Sequence, residues 1–416
     1  MANGDSMRSD SLMDDQASSG SSNSYYGSAR IFPLATDRSE RPVRDARVLI
    51  FSQRNVERPV WHGGMYEFED VIASIEDAQM LAPHRRPGSR AVRLARNLRD
   101  TAREKLGLTR LAESEPIRVD GMFDLFFAVF HFTWQVAYLR NIDWRRRCRK
   151  GVCFIIEQWW PALDEAEPYL EMLRDFDRVF LFSRWSIPRI EAASGAAVSY
   201  LPIGADALQS CPYPACPPRT IDVFSMGRRT PHVHDVLLRM MQEERISYVF
   251  DSLRAGTDSW VNYREHRALL RHMFKRSRFV LAFRHNDSPH FAVRTGGEEA
   301  IPSRYFEGIA GGPVVLGSAP NCSDYEANFD WPDAVIPLPA GPRAIEETLE
   351  SLNGQPERVA RARAGNTVNA LRRHDWAYRW QTILAAAGLS EAPALNDRIA
   401  NLHGVAEMAS SLMLHV

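Results

Sequence analysis

The sequence predicts an α/β fold built from two domains, each with a parallel sheet. The chain has 416 residues, and at about 100–200 residues per domain this length favours two domains. Short and almost wholly apolar runs, such as residues 46–52 and 123–130, are typical of parallel strands that are buried on both faces. Helical patterns alternate with these runs, and this βαβ order implies a parallel sheet flanked by helices.

The composition is that of an ordinary globular protein, with 45% hydrophobic and 25% charged residues. The formal net charge of -1 gives the chain no overall field that would attract nucleic acid or a membrane. Five scattered cysteines argue against a disulfide framework and for a reducing compartment. The first residues are polar and acidic and do not resemble a signal peptide. We therefore expect a cytoplasmic protein that binds no nucleic acid.

The first half opens with a segment that we expect to be disordered. Residues 1–43 are rich in Ser, Asn, Asp and Gly and have almost no apolar periodicity. After the first strand, the pair Gly63-Gly64 precedes a helical pattern over residues 66–80. Such a pair lets the backbone approach a ligand, and a simple turn is an equally good interpretation. The basic segment 86–113 has helical stretches and little apolar content, which indicates a solvated insertion or lid.

Three candidate site residues fall at the carboxyl ends of predicted strands, namely Gly63, His131 and Glu157. Because open α/β sheets bind ligands at the carboxyl ends of their strands, we expect these residues to converge. Glu157 is followed by Trp159 and Trp160, and we expect partial burial there to raise its pKa and suit it to proton exchange. A buried structural carboxylate is an equally good interpretation of Glu157.

Two further polar motifs of the first half have simple interpretations. The basic run at residues 145–150 is usually a solvated helix end, and contact with anionic lipid is the alternative. Asp175 and Asp177 form an Asp-x-Asp triplet of the kind that binds metal ions. They precede the strand at residues 178–182, however, which is the wrong end of the sheet for a ligand. We therefore predict no metal site.

The second half centres on residues 295–317. A glycine-rich loop that contains Gly297 comes first, then a helix over residues 303–310, and then a short buried strand. Glu299 lies before this helix and Glu307 lies on it, and apolar residues surround both. Because ionised carboxylates are strong multi-site acceptors, the pair suits a ligand that is rich in hydroxyl groups.

This stretch resembles the signature of a known enzyme family. Glu299, seven residues, and then Glu307-Gly-Ile-Ala-Gly-Gly-Pro-Val-Val is similar to the pattern of the retaining GT-B glycosyltransferases, the sugar-nucleotide-dependent family 4 group. Other pieces follow in the family's order. They are Pro-x-Gly-x-Asp at residues 202–206, Gly-Arg at residues 227–228, and a His-x-Trp-x-x-Arg helix that starts at His374.

The resemblance implies the GT-B fold, in which two Rossmann-like domains enclose a cleft and a C-terminal helix crosses back to the first domain. It implies an acceptor domain at residues 44–205, joined by residues 374–400, and a nucleotide-sugar donor domain at residues 206–373. Residues 401–416 would then be a C-terminal tail.

The resemblance also implies roles for individual residues. Glu307 would hold the ribose of a nucleoside-diphosphate sugar and Glu299 would face the donor sugar, while Glu157 and His131 would act across the cleft. Arginine side chains would neutralise the diphosphate, with no metal and no other cofactor. The donor-binding set is Gly227, Arg228, Arg229, Gly297, Arg304 and Glu307, with Arg294 as a further candidate cation. The acceptor side of the cleft is formed by Gly63, Gly64 and Trp159.

Three functions remain open. The first is a glycosyltransferase of surface polysaccharide or glycoconjugate synthesis, acting in the cytoplasm or at the inner face of the membrane on a glycan, lipid-linked or small-molecule acceptor. The second is a sugar-nucleotide epimerase, for which His131 and Glu157 would supply acid and base groups. The third is a non-catalytic GT-B-like binding protein. Two departures from the family pattern favour it, because Pro302 removes a loop N–H and the Lys that follows Gly-Arg in many relatives is absent.

Overall fold

The computed structural model describes residues 46–84, 88–111, 114, 116–251 and 262–413. The predicted disordered tail at residues 1–43 lies outside them. The strands are β1 (Val48–Phe51), β2 (Ala78–Leu81), β3 (Phe123–Phe130), β4 (Cys148–Ile155), β5 (Arg178–Leu181), β6 (Ala197–Tyr200), β7 (Ile221–Ser225), β8 (Tyr248–Phe250), β9 (Ser277–Ala282), β10 (Val314–Gly317) and β11 (Ile336–Pro337).

The helices connect these strands and extend to the C-terminal end of the described chain. They are α1 (Gly63–Ile75), α2 (Arg90–Lys105), α3 (Leu163–Leu170), α4 (Ile187–Ser194), α5 (Ala207–Ser210), α6 (Pro231–Gln242), α7 (Tyr263–Arg276), α8 (Pro289–Thr295), α9 (Ser303–Gly311), α10 (Ser323–Asn328), α11 (Pro342–Asn353), α12 (Pro356–Asn369), α13 (Trp376–Ala387) and α14 (Pro393–Met413).

The strands form two sheets, and every strand pair in both sheets is parallel. The first sheet has the order β2-β1-β3-β4-β5-β6, and the second has the order β11-β10-β9-β7-β8. The apolar runs explain this arrangement, because strands buried on both faces need apolar side chains on both faces. The predicted fold class of two parallel sheets with flanking helices is therefore confirmed. The division of the chain at residues 205 and 206 stays a prediction.

Two local predictions in the first half are wrong. The helix predicted over residues 66–80 ends at Ile75, and Ala78–Leu81 forms the edge strand β2. This strand has no buried apolar run that would predict it from the sequence, because only Leu81 of its four residues is buried. The basic run at residues 145–150 is not a helix end, because Cys148, Arg149 and Lys150 begin β4 and extend its pairing with β3.

Helix α13 crosses back onto the first sheet, as predicted. Trp380 lies edge-on to Phe127 of β3 with ring centroids 5.3 Å apart, and Trp376 stacks on Phe68 of α1 at 4.5 Å. The Trp380 indole N–H also donates to Glu76 Oε1 at 2.9 Å. These buried contacts confirm that a C-terminal helix joins the second half of the chain to the first domain.

The prediction of a C-terminal tail at residues 401–416 is wrong for residues 401–413, which belong to α14. One face of this helix is fully buried at Leu395, Leu402, Ala406 and Ala409. Those four positions have helical spacing, but two of them are alanine, so the apolar pattern in the sequence is weak. Residues 414–416 lie outside the described part of the chain.

Candidate active site

The first sheet brings His131 and Glu157 together at its carboxyl edge. β3 and β4 are neighbours with Phe130 opposite Ile155, so the residues that follow them emerge side by side. The Glu157 backbone N–H donates to the His131 carbonyl oxygen at 2.7 Å, and Glu157 Oε1 lies 3.5 Å from His131 Nε2. The convergence expected from the strand ends is present in the structure.

A second histidine, His62, completes this group and was not singled out in the sequence. Its ring centroid lies 5.1 Å from that of His131, and Gln135 contacts both residues. Burial is the main cause that lowers the pKa of His62 well below its usual range, so the imidazole is neutral at neutral pH. His62 directly precedes Gly63, the first residue of α1, and a Cβ on Gly64 would meet open space.

Arg294 reaches Glu157 from the second half of the chain. An Arg294 guanidinium nitrogen lies 2.9 Å from Glu157 Oε2. Burial raises the pKa of Glu157, but the attraction of His131, Arg294 and His285 outweighs burial, and the net effect lowers that pKa. The expectation of a raised pKa is therefore wrong, because it considered burial without Arg294 and the two neighbouring histidines. Glu157 is an ionised carboxylate at neutral pH.

The segment that contains Arg294 packs closely against the first half of the chain. A Cβ at Gly296 would lie 2.7 Å from Pro161 Cγ, and this residue has φ +63°, so only glycine fits. Trp159 also packs here, edge-on to His285, and only 2% of its surface is exposed. Trp159 therefore has no open ring face for a ligand, whereas its neighbour Trp160 is exposed.

Arg228 lies at this edge and has no acidic partner among the residues that the structure describes. Its half-buried guanidinium lies 4.2 Å from the centroid of the Phe291 ring and, within the described residues, makes no hydrogen bond or ion pair. Burial lowers the pKa of Arg228, and the charges of Arg294 and Arg304 act in the same direction, while Glu157 opposes them. Positive charge is therefore concentrated at this edge of the cleft and is only partly compensated.

The other donor-site residues of the second sheet are largely engaged with one another. Gly227, at φ +83°, donates its N–H to Asp251 Oδ2 at 2.9 Å, and Arg229 lies 3.9 Å from the same carboxylate. Gly297 donates its N–H to the Ala292 carbonyl oxygen at 3.1 Å. These two glycine N–H groups are therefore not free for a phosphate in this conformation.

Glu299 is fixed by the loops around it. Its Oε2 accepts a hydrogen bond from the Asn321 N–H at 2.5 Å, and its Oε1 lies 3.4 Å from an Arg284 nitrogen. The preceding residue, Glu298, is more deeply buried and accepts a hydrogen bond from the Trp185 N–H of the first half at 2.9 Å. Glu298 rather than Glu299 is thus the carboxylate of this pair that contacts the first half.

Glu307 lies in a buried ion network that joins the two halves. It forms a short ion pair with Arg267 of α7 and lies 3.1 Å from an Arg304 nitrogen. Arg267 also pairs with Glu67 of α1 at 2.9 and 3.0 Å. Burial raises the pKa of Glu307, but the attraction of Arg267 and Arg304 outweighs it and lowers that pKa. Sequence analysis missed Glu67 and Arg267, which lie 200 residues apart.

Asp177 of the rejected Asp-x-Asp triplet has a structural role. It accepts a hydrogen bond from the Gly151 N–H at 2.8 Å and lies 3.4 Å from Lys150 Nζ. Across the described residues, no group of three or more His, Cys, Asp or Glu side chains lies together in a way that could hold a metal ion. None of the described helices is long and apolar enough to cross a bilayer.

A comparison with known families finds a similarity in the second half of the chain. Residues 241–385, from the end of α6 into α13, match a family profile described as glycosyl transferase-like. This segment is therefore similar to a glycosyl transferase-like domain, and the chain has a GT-B fold. The resemblance to GT-B glycosyltransferases that the sequence showed is confirmed, and membership of the retaining family 4 group stays a prediction.

One of the similar solved structures supports the fold of this chain. An α-glucosyltransferase in complex with UDP and a 13-mer DNA that contains an HMU base has 11% identity and a TM-score of 0.52. The match covers 82% of this chain and 99% of that one. A Glycyrrhiza uralensis protein complexed with glycyrrhetinic acid 3-O-monoglucuronide has 6% identity and a TM-score of 0.35, over 89% and 93% of the two chains. A search of curated proteins finds no match. Because the α-glucosyltransferase was solved with DNA, the absence of nucleic-acid binding here stays a prediction.

Proposed function

We propose that this protein is a glycosyltransferase that moves a sugar from a nucleoside-diphosphate sugar to an acceptor hydroxyl. The observation that carries the proposal is that an arginine without an acidic partner lies near an ionised carboxylate at the cleft. Arg228, with no acidic partner among the described residues, lies within electrostatic reach of the ionised Glu157 and of Arg294. Such a site offers cations to a diphosphate and a carboxylate to the reacting sugar.

The reaction breaks the bond between the anomeric carbon and the diphosphate oxygen and forms a bond from that carbon to the acceptor oxygen. Arg228 and Arg294 stabilise the negative charge that develops on the departing diphosphate. Glu157, held by His131, either accepts the acceptor proton or stabilises positive charge at the anomeric carbon. We further propose that configuration is retained, that Glu299 faces the donor sugar, and that the product is a surface polysaccharide or glycoconjugate.

We propose that Glu307 binds the ribose of the donor, and its replacement tests this role. Glu307→Ala should weaken nucleotide binding by about 10- to 100-fold, because losing a charged hydrogen-bond partner costs about 1.5–3 kcal/mol. The measurement is the nucleotide Kd by titration calorimetry. Because Glu307 is also part of the buried ion network, the Tm must be recorded alongside it. A lower Tm with an unchanged Kd would assign Glu307 to stability alone.

We propose that catalysis needs no metal ion, because the arginines at the cleft supply positive charge to the diphosphate. Turnover should therefore persist in EDTA, measured as nucleotide release with and without added Mn²⁺. Activity that is lost on chelation and restored by Mn²⁺ would contradict the role given to Arg228.

A donor screen tests the proposed function as a whole. The protein is incubated with UDP-, GDP-, TDP- and ADP-sugars, and the released nucleoside diphosphate is measured with and without candidate acceptors. Release that increases with an acceptor hydroxyl supports transfer. Nucleotide binding without release under any condition would favour the non-catalytic binding protein.

A sugar-nucleotide epimerase is the second candidate, and the neighbouring His62, His131 and Glu157 side chains favour it. These groups offer proton donors and acceptors on one wall of the cleft. Incubation with UDP-N-acetylglucosamine and no acceptor separates the two reactions. An epimerase changes the configuration of the sugar, whereas a transferase leaves the sugar unchanged until an acceptor is added.

A further inference from the structure

Helix α2 turns polar side chains away from solvent. Arg96, Asp100 and Arg103 follow helical spacing, and their side chains are half-buried or buried. Arg103 Nε donates to the Thr109 carbonyl oxygen at 2.9 Å, and Asp100 is buried. A surface helix normally buries an apolar face, so α2 is oriented in the opposite way.

The apolar side of α2 faces outward as a result. Leu94 and Leu98 lie one turn apart, roughly opposite the Asp100 side, and they are 60% and 63% exposed. Exposed leucines continue beyond the helix at Leu106 and Leu108. Several exposed leucines on one side of a helix and just beyond it favour an interaction site over ordinary surface.

The charge of α2 indicates the partner. Its sequence, RAVRLARNLRDTAREK, has six Arg or Lys residues and two Asp or Glu residues. A basic helix with exposed leucines matches an anionic bilayer surface, where the leucines enter the acyl boundary and the cations meet lipid phosphates. We propose that α2 docks this protein on anionic membranes.

Other occupants fit this helix less well. Two copies of the same basic helix would repel each other, and a nucleic-acid backbone would leave Leu94 and Leu98 exposed to water. The basic run at residues 145–150 is a weaker membrane contact, because acids partly neutralise it. Asp177 lies 3.6 Å from Arg145 and 3.4 Å from Lys150, and Asp124 lies 3.2 Å from Arg149.

Vesicle sedimentation with the full chain tests the proposal. The wild type should bind vesicles of phosphatidylcholine mixed with phosphatidylglycerol far better than pure phosphatidylcholine vesicles, and added salt should weaken binding. The double variant Leu94→Gln/Leu98→Gln should lower the partition coefficient about a hundredfold, at roughly tenfold per leucine. Leu269→Gln removes an equally exposed leucine from α7 and should leave binding unchanged.

Several outcomes would overturn the proposal. They are a wild type that does not bind anionic vesicles, binding that the double variant retains, and binding that the Leu269 control loses equally. A dimer that the double variant converts to monomer would assign α2 to a second copy of this chain. Duplex DNA binding that is independent of both leucines, with no vesicle binding, would assign the basic charges to nucleic acid. Because all three leucines are exposed, none of the substitutions should prevent folding.

Discussion

Glu157→Gln should lower kcat by about 10²–10⁴, with little change in nucleotide affinity. The substitution keeps the shape of the side chain but removes the negative charge that faces Arg294 and His131. The nucleotide is proposed to lie on the second half, whereas Glu157 follows β4 of the first. The loss should therefore appear in turnover, measured as nucleotide release at saturating donor.

The pH profile adds a second readout for Glu157. Its folded pKa is lowered by Arg294 and by its histidine neighbours, so the carboxylate stays ionised from about pH 5 to pH 8. If kcat falls as the pH is lowered from 8 to 5, protonation of Glu157 should therefore not be the cause. Glu171→Gln, at a well-exposed carboxylate, is the matched control and should turn over normally. A Glu157→Gln variant with normal kcat and a lower Tm would assign this residue to stability alone.

The sequence predicts the strands of this fold well because most of them are buried on both faces. β3 is eight almost wholly apolar residues, and its predicted bounds match the observed Phe123–Phe130. Because a carboxyl strand end has a fixed place in a parallel sheet, strand prediction also located His131 and Glu157. Edge strands such as β2 and alanine-rich helices such as α14 carry weaker patterns, and both were missed.

The side-chain partners at the site could not be predicted from one sequence. Arg294 meets Glu157 across 137 residues of chain, and no local pattern records such a pairing. The direction of the Glu157 pKa shift depends on this partner, so prediction from burial alone gave the wrong sign. The same limit applies to Glu307, whose sequence pattern indicated a ligand but whose buried partner is Arg267.

Arg267→Met should lower the free energy of unfolding by about 3–5 kcal/mol, because it leaves buried carboxylates without their central cation. Arg267 is 6% exposed and pairs with both Glu67 and Glu307, which are each 5% exposed. Methionine fills a similar volume, so the loss reports on charge rather than on a cavity. Urea unfolding followed by tryptophan fluorescence measures it. Arg264→Met on the same helix, where the pair with Asp70 is partly exposed, should cost at most about 1 kcal/mol.

The pH dependence of this loss identifies its cause. Burial raises the pKa of Glu67, but Arg267 and Arg271 outweigh burial and lower it to about 2, from an ordinary value of 4.5. A lowered folded pKa contributes stability above the ordinary pKa, and this stability is lost as the pH falls through the folded pKa. The difference between wild type and Arg267→Met should therefore be largest near neutral pH and narrow from about pH 4.5 towards pH 2.

A double variant, Glu67→Gln with Arg267→Met, gives the final test of the network. It removes one of the two buried carboxylates that lose Arg267 in the single variant. The double variant should therefore recover part of the lost stability. Glu67 lies on α1 of the first half, whereas Arg267 and Glu307 lie in the second, so this recovery would measure an electrostatic contact between the halves. If Arg267→Met is no less stable than the Arg264→Met control, or if its loss is the same at every pH, the buried network does not hold the halves together.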